Sequence, residues 1–183
     1  MKDISEVDLT YYGLSKPTKD NFRNVIPEDT KCGGGLWTSP ILEGETKSEW
    51  CKWCENANWE PAPHRWHIIP DEDCRILVVD EDLTNLTQYL RRGKILAPKI
   101  LDYEKIAKDY DAIYVPDSVQ RRYRRYDQVF CGFDVETCLF LRPKFTALTD
   151  AEYEQYRKNK SSNNSGLTKE QLHSLTSLKD RNR

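Results

Sequence analysis

No stretch of this chain approaches the ~20 consecutive apolar residues that a membrane-crossing helix needs. Membrane proteins built on such helices are therefore set aside. The run Met1-Lys2-Asp3-Ile4-Ser5-Glu6 lacks the apolar region of a secretory signal. A cytoplasmic placement is expected, where the six cysteines stay reduced. An excess of one charge sign is missing as well. The formal net charge is −2, which argues against binding nucleic acid by electrostatics of the whole surface. No internal repeat is visible.

What is present suits one domain and a tail. The 183 residues are 38% hydrophobic and 11% aromatic, so tryptophan and tyrosine supply much of a packed core. Charge is unevenly spread. Residues 157–183 hold seven Lys/Arg against two Asp/Glu, a net of +5, which leaves −7 for residues 1–156. The body is acidic and the tail basic.

Along the chain, Leu9–Tyr12 reads as a strand and Thr18–Val25 as a helix. Gly33-Gly34-Gly35 turns into a strand over Leu36–Ser39. Thr46-x-x-Glu49 has the form of a capping box opening a helix to about Ala57, with Trp50, Trp53, Cys54 and Ala57 on one buried face. Trp66–Ile69 and Arg75–Val79 are β-rich runs around the acidic turn Pro70-Asp71-Glu72-Asp73. Short helices are expected at Asp82–Leu90 and Tyr103–Tyr110, with Ile106 inward. Asp111–Val115 is the clearest central strand, and Phe130–Leu141 reads as two strands broken near Gly132. An arginine-rich loop, Arg121–Tyr126, lies between them. Thr149-x-x-Glu152 starts the last helix of the body. Residues 161–166 are linker-like, and Thr168-x-x-Gln171 begins a weakly amphipathic C-terminal helix. Helices among the early strands, with strands clustered late, predict an α+β domain over residues 1–160 and a tail over 161–183.

Three signals carry chemistry. A glycine turn, a strand ending in Thr38-Ser39 and a tryptophan-bearing helix can hold a flat polar ligand: hydroxyls aim hydrogen bonds and indoles supply an apolar wall. The plainer alternative is that Trp37, Trp50 and Trp53 pack in the core and the glycines only turn the chain. Cys51-x-x-Cys54, His64-x-x-His67 and Cys74 have the look of a zinc site, but the nine residues between Cys54 and His64 fall outside common spacings. Core or free thiols are the other reading. Arginine pairs separated by Tyr123 can clamp a pyrophosphate or a nucleic-acid backbone, or can be a solvated loop.

Tyr11-Tyr12-Gly13, Gly34-Gly35-Leu36-Trp37-Thr38-Ser39 ahead of an aromatic helix, Tyr110-Asp111-Ala112-Ile113 and Asp134-Val135-Glu136-Thr137 occur in that order. Over roughly residues 9–143 this arrangement resembles the ADP-ribosyltransferase-like fold, and more closely a set of bacterial and phage proteins sharing the Gly-Leu-Trp, Tyr-Asp-Ala-Ile and Asp-x-Glu-x features. The resemblance implies a split β-sandwich that grips NAD between two small sheets, with flanking helices. It implies that Tyr12 and Gly13 hold the nicotinamide side, that Gly35 and Trp37 belong to the cofactor wall, and that Thr38 and Ser39 orient the ribose. Trp50 or Trp53 would line the nicotinamide pocket, and Glu136 would be the catalytic acid, with Asp134 its rival. One departure stands out: active members carry His or Arg where Tyr12 stands. A phenol donates a hydrogen bond but brings no permanent charge.

Breaking the nicotinamide–ribose bond leaves an oxocarbenium-like sugar, which a nearby carboxylate stabilises. The expected function is therefore NAD-dependent mono-ADP-ribosylation of a protein or nucleic acid, in a phage–host setting. A catalytically inactive interaction module of the same fold is the alternative. A zinc-stabilised nucleic-acid binder is the third.

Overall fold

The computed structural model describes residues 4–26, 32–93, 99–123, 128–130 and 132–164. Arg124, Arg125 and Tyr126 of the arginine-rich run lie outside them, as do residues 165–183 with the expected C-terminal helix. The chain divides into two units, Met1–Ala147 and Leu148–Arg183.

The α+β expectation holds. In chain order the elements are β1 (Asp8–Gly13), β2 (Leu36–Ile41), α1 (Glu49–Asn56), β3 (His64–Pro70), β4 (Ile76–Val78), β5 (Leu90–Arg91), β6 (Ile100–Leu101), α2 (Tyr103–Asp109), β7 (Ala112–Val115), α3 (Asp117–Tyr123), β8 (Thr137–Phe140), β9 (Phe145–Leu148) and α4 (Asp150–Asn164). Seven strands form one mixed sheet in the order β4-β7-β8-β2-β1-β3-β9, and β5 and β6 form a separate hairpin. β4 and β7 are parallel, whereas β7–β8, β8–β2, β2–β1 and β1–β3 are antiparallel.

Side-chain alternation along the strands feeds two cores. Leu9, Leu36, Ile68, Tyr114, Cys138 and Phe140 pack on one side. Ile113, Val115 and Leu139 pack on the other with Leu77, Leu86, Ile106, Phe130 and Phe133. All four residues of β7 are fully buried, as the run Asp111–Val115 foretold. Among the described residues no helix is long and apolar enough to cross a membrane.

The position that shapes the site is β2. Its first half, Leu36–Thr38, pairs with Phe140–Cys138 of β8. Its second half, Ser39–Ile41, pairs with Thr10–Asp8 of β1. The strand therefore changes partner between Thr38 and Ser39. Beyond that step β1 runs on with β3, from Tyr11↔Trp66 to Gly13↔His64, and β8 stays with β7. The β1–β3 side and the β7–β8 side of the sheet are joined through β2 at this step.

Several sequence expectations are corrected. Thr18–Val25 is not helical: Thr18 N–H donates to Asn21 Oδ1 at 2.8 Å and Asn21 N–H to Thr18 Oγ1 at 3.2 Å. Such local side-chain bonds compete with a helix. Helix α1 is capped by Ser48, which accepts from Cys51 N–H at 3.3 Å, and not by Thr46. After a turn at Gly44, an isolated bridge to Ile41 holds Ser48 in an extended conformation just before the helix. The start moves, and the buried face becomes Cys51 and Cys54, with the tryptophans half-buried and Ala57 exposed. Asp82–Leu90 holds only a 3-10 turn at Thr87–Tyr89, because Leu83 sits at φ 60° and Asp82 bonds Thr84 instead. Among the described residues of Phe130–Leu141 only β8 is a strand. The start of the arginine run belongs to helix α3, and residues 161–164 continue α4. The Thr149/Glu152 box is formed reciprocally, at 2.7 and 3.3 Å.

Candidate functional site

Where β2 changes partner, a cavity of about 220 Å³ is lined by Thr10, Tyr11, Tyr12, Trp37, Thr38, Ser39, Trp50, Gly132, Asp134, Val135 and Thr137. Its walls come from β1, β2, the start of α1 and the segment leading into β8. The volume is below the roughly 300 Å³ at which whole-ligand pockets begin. It suits one ring with its sugar.

Of the residues singled out from sequence, Tyr12, Trp37, Thr38, Ser39 and Trp50 meet here. Ser39 is buried, and its Oγ accepts the Trp50 N–H at 3.2 Å, tying β2 to the first turn of α1. An accepting hydroxyl keeps its own proton to donate. Thr38 donates to the Cys138 carbonyl at 2.7 Å, a bond to β8 at the point where β2 changes partner. Thr10 donates to the Ser39 carbonyl at 3.0 Å. Trp37 leans on Phe133, ring centroids 5.0 Å apart, and so belongs to both wall and core. Trp50 stacks on Trp53 at 5.0 Å and 11°, and Trp53 meets the exposed Trp59 edge-on at 5.4 Å.

Tyr12 reaches under the start of α1. Burial pushes its phenol up to about 12, helped by the neighbouring Cys51 thiol, while Ser48 and Arg65 pull the other way. The hydroxyl is therefore neutral over the physiological range. It can polarise a carbonyl or amide by donating a hydrogen bond, but it cannot pair with a phosphate as a cation does.

Three expected residues lie elsewhere. Gly13 is absent from the lining; a Cβ there would come within 2.5 Å of the Tyr11 hydroxyl, so the glycine lets the Tyr11 ring fold across it. Gly35 lines a second cavity of about 360 Å³, with Phe22, Arg23, Leu36 and Phe145. At φ 66°, with Leu139 Cδ1 2.7 Å and the Phe140 carbonyl 2.8 Å from where a Cβ would sit, it serves a tight approach to β8. Glu136 is buried and does not line the cavity. Its Oε1 accepts the Tyr114 hydroxyl, and its Oε2 accepts the Asp117 N–H at 3.3 Å. Burial, then this bond to Glu136, raises the Tyr114 phenol well above its ordinary value.

The acid in the cavity wall is Asp134. In a strand, residues two apart share a face. The run 132–136 is not a strand, because β8 begins at Thr137. Gln120 donates its amide to the Phe133 carbonyl, and Thr137 donates to the Val135 carbonyl at 2.6 Å. In this irregular segment Asp134 faces the cavity while Glu136 faces Tyr114. Val135 and Thr137 also reach the lining unforeseen; Val135 stands in the irregular segment, and Thr137 is the first residue of β8.

The Cys/His pattern does not assemble. Among the described residues no group of three or more His, Cys, Asp or Glu side chains could hold a metal ion. Cys51 and Cys54 are buried free thiols under α1, and His67 Nδ1 lies 2.7 Å from Asp8 Oδ1. Comparison with known protein families, curated proteins and solved structures finds no match.

Proposed function

We propose that the chain is an ADP-ribosyltransferase-like protein that takes the nicotinamide end of NAD into this cavity and transfers ADP-ribose to a protein or nucleic acid. The observation that carries the reading is one lining shared by Tyr12, Trp37, Ser39, Trp50 and Asp134 where β2 changes partner. The change of partner along β2, where β8 gives way to β1 within the one sheet, is also compatible with a split β-sandwich of that kind.

The chemistry follows from those groups. The indoles of Trp37 and Trp50 give the nicotinamide ring an apolar wall. The neutral phenol of Tyr12 and the Ser39 hydroxyl donate to its amide or to the ribose. When the C–N bond breaks, its electron pair leaves with nicotinamide and C1 of the ribose becomes cationic. Asp134 stabilises that charge. An acceptor nucleophile then attacks C1, forming the new bond to the sugar, and its proton passes to solvent. A ligand filling so small a cavity would displace the water around the reacting carbon.

A second reading keeps the fold and the ligand without turnover. It is favoured by Tyr12, which offers no positive charge where active members of the resembled family carry one. NAD at about 100 times its Kd stabilises a native-state binder by about 2.7 kcal/mol, a readable thermal shift. Wild type is expected to shift and Asp134→Asn to release less nicotinamide. A shift without nicotinamide release selects the second reading. A flat response at millimolar NAD rejects both.

A further inference from the structure

The glycine turn ahead of β2 borders the second cavity, which the chemistry above leaves unused. At about 360 Å³ it is bordered by Tyr11, Phe22, Arg23, Gly34, Gly35 and Phe145 among others. Pockets that hold whole small ligands run from roughly 300 to 1,000 Å³. Side chains alternate along β2. Leu36 borders this cavity and packs in the core with Phe140 and Phe145, whereas Trp37 borders the first cavity and leans on Phe133. The two cavities therefore lie on opposite faces of β2, and a ligand in the first does not fill the second.

The wall is held in shape by the chain itself. In the loop after β1, Asn21 Oδ1 accepts the Thr18 N–H at 2.8 Å and Asn21 Nδ2 donates to the Lys16 carbonyl at 2.9 Å. Gly35 N–H donates to the Arg23 carbonyl at 2.8 Å, and Ile26 and Gly33 exchange backbone bonds at 2.8 and 3.1 Å. A Cβ at Gly34, φ 70°, would meet the Asn24 carbonyl oxygen at 2.1 Å, so only glycine lets the two segments lie this close. Arg23 thus has a fixed backbone and an exposed side chain, and among the described residues no ion pair engages it. Lys16, Lys19 and Arg23 against Asp20 give residues 15–25 a net charge of +2, in a body that is acidic elsewhere.

Three aromatic rings and a guanidinium in one lining select a flat ring with an anionic substituent. The rings of Tyr11, Phe22 and Phe145 pack on it, and the guanidinium forks two donors onto a phosphate or carboxylate. We propose that this cavity is a second ligand site, for a small aromatic ring bearing one phosphate or carboxylate, separate from the first cavity and independent of what fills it.

The experiment is isothermal titration calorimetry with phenyl phosphate and with benzoate, and with phenol and inorganic phosphate as the separate halves. Wild type is expected to bind a ring anion more tightly than either half, and the tighter of the two names the substituent. Arg23→Gln, with an unchanged ligand-free melting temperature, should lose roughly tenfold in that affinity. Lys19→Gln makes the same charge change outside the lining, where Lys19 pairs with Asp71 at 3.0 Å, and should bind as wild type does. Phe22→Leu keeps the apolar volume, removes a ring and should weaken binding several-fold. Absence of ring-anion binding at millimolar concentration, a half that binds as tightly as the whole, or equal losses in Arg23→Gln and Lys19→Gln would overturn the assignment. Displacement of the ring anion by NAD, with both ligands weakened in Arg23→Gln, overturns it too, because the two cavities would then serve one ligand.

Discussion

Glutamine at position 136 separates the two acids of the site. The Glu136 carboxylate accepts from the Tyr114 hydroxyl and from the Asp117 N–H at 3.3 Å, and Tyr114 is wholly buried. A carboxylate offers two accepting oxygens; an amide offers one and turns its N–H groups toward the other donor. A buried donor so mismatched costs about 1–3 kcal/mol. With a urea m-value of about 2 kcal/mol/M, the unfolding midpoint falls by roughly 0.5–1.5 M. Asp134 stands in the cavity wall and is only half-buried, so Asp134→Asn should cost under about 1 kcal/mol. Urea unfolding followed by tryptophan fluorescence reads stability, and nicotinamide release from NAD by each folded variant reads the site. Glu136→Gln should lose stability and keep its nicotinamide release, and Asp134→Asn should keep its stability and release less nicotinamide. A Glu136→Gln protein with the wild-type midpoint and no nicotinamide release would refute the reasoning and return the catalytic role to Glu136.

Three further outcomes follow from the same geometry. Gly35→Ala places a Cβ 2.7 Å from Leu139 Cδ1 at φ 66°; left-handed strain of about 1–2 kcal/mol adds to overpacking of about 1–3 kcal/mol, so chemical denaturation should show a loss of at least about 2 kcal/mol. Ser48→Ala removes the α1 cap, which costs about 1 kcal/mol, and takes from Tyr12 the hydrogen-bond partner that lowers its phenol; the phenol should then titrate at still higher pH than in wild type, followed by ultraviolet absorbance. Tyr114 keeps its proton in the folded chain to higher pH than the ordinary ~10 of the unfolded chain. Its contribution is whole below pH ~10 and fades above it, because the unfolded state releases the proton first. Stability should fall by up to about 1.4 kcal/mol per pH unit there, and less steeply in Tyr114→Phe, as urea midpoints between pH 9 and about 11.5 would show.

Much of the local structure was legible because its causes are local. The apolar run Asp111–Val115 reads as a buried strand and becomes β7. The Thr149/Glu152 box closes its own helix start within four residues. The glycine turn leads into β2 as expected, and Trp37, Thr38 and Ser39 reach a common cavity with Tyr12 and Trp50. Where another contact intervened, the reading shifted: Ser48, bridged to Ile41, caps α1 in place of Thr46, and the helix buries Cys51 and Cys54 while Trp50 lines the cavity.

Sequence by itself determined the class of fold, the strands β1 to β4, β7 and β8 but not β5, β6 and β9, and the aromatic and hydroxyl side chains available to a site. Only the tertiary structure decided that β2 leaves β8 for β1 between Thr38 and Ser39, and that Asp134 and Glu136 turn apart. Pairing partners and side-chain direction in an irregular segment are set by contacts across 20 to 100 residues, such as Tyr114 with Glu136 and Thr38 with Cys138. Local preference carries no trace of them, because their energy exists only once the distant strands are side by side.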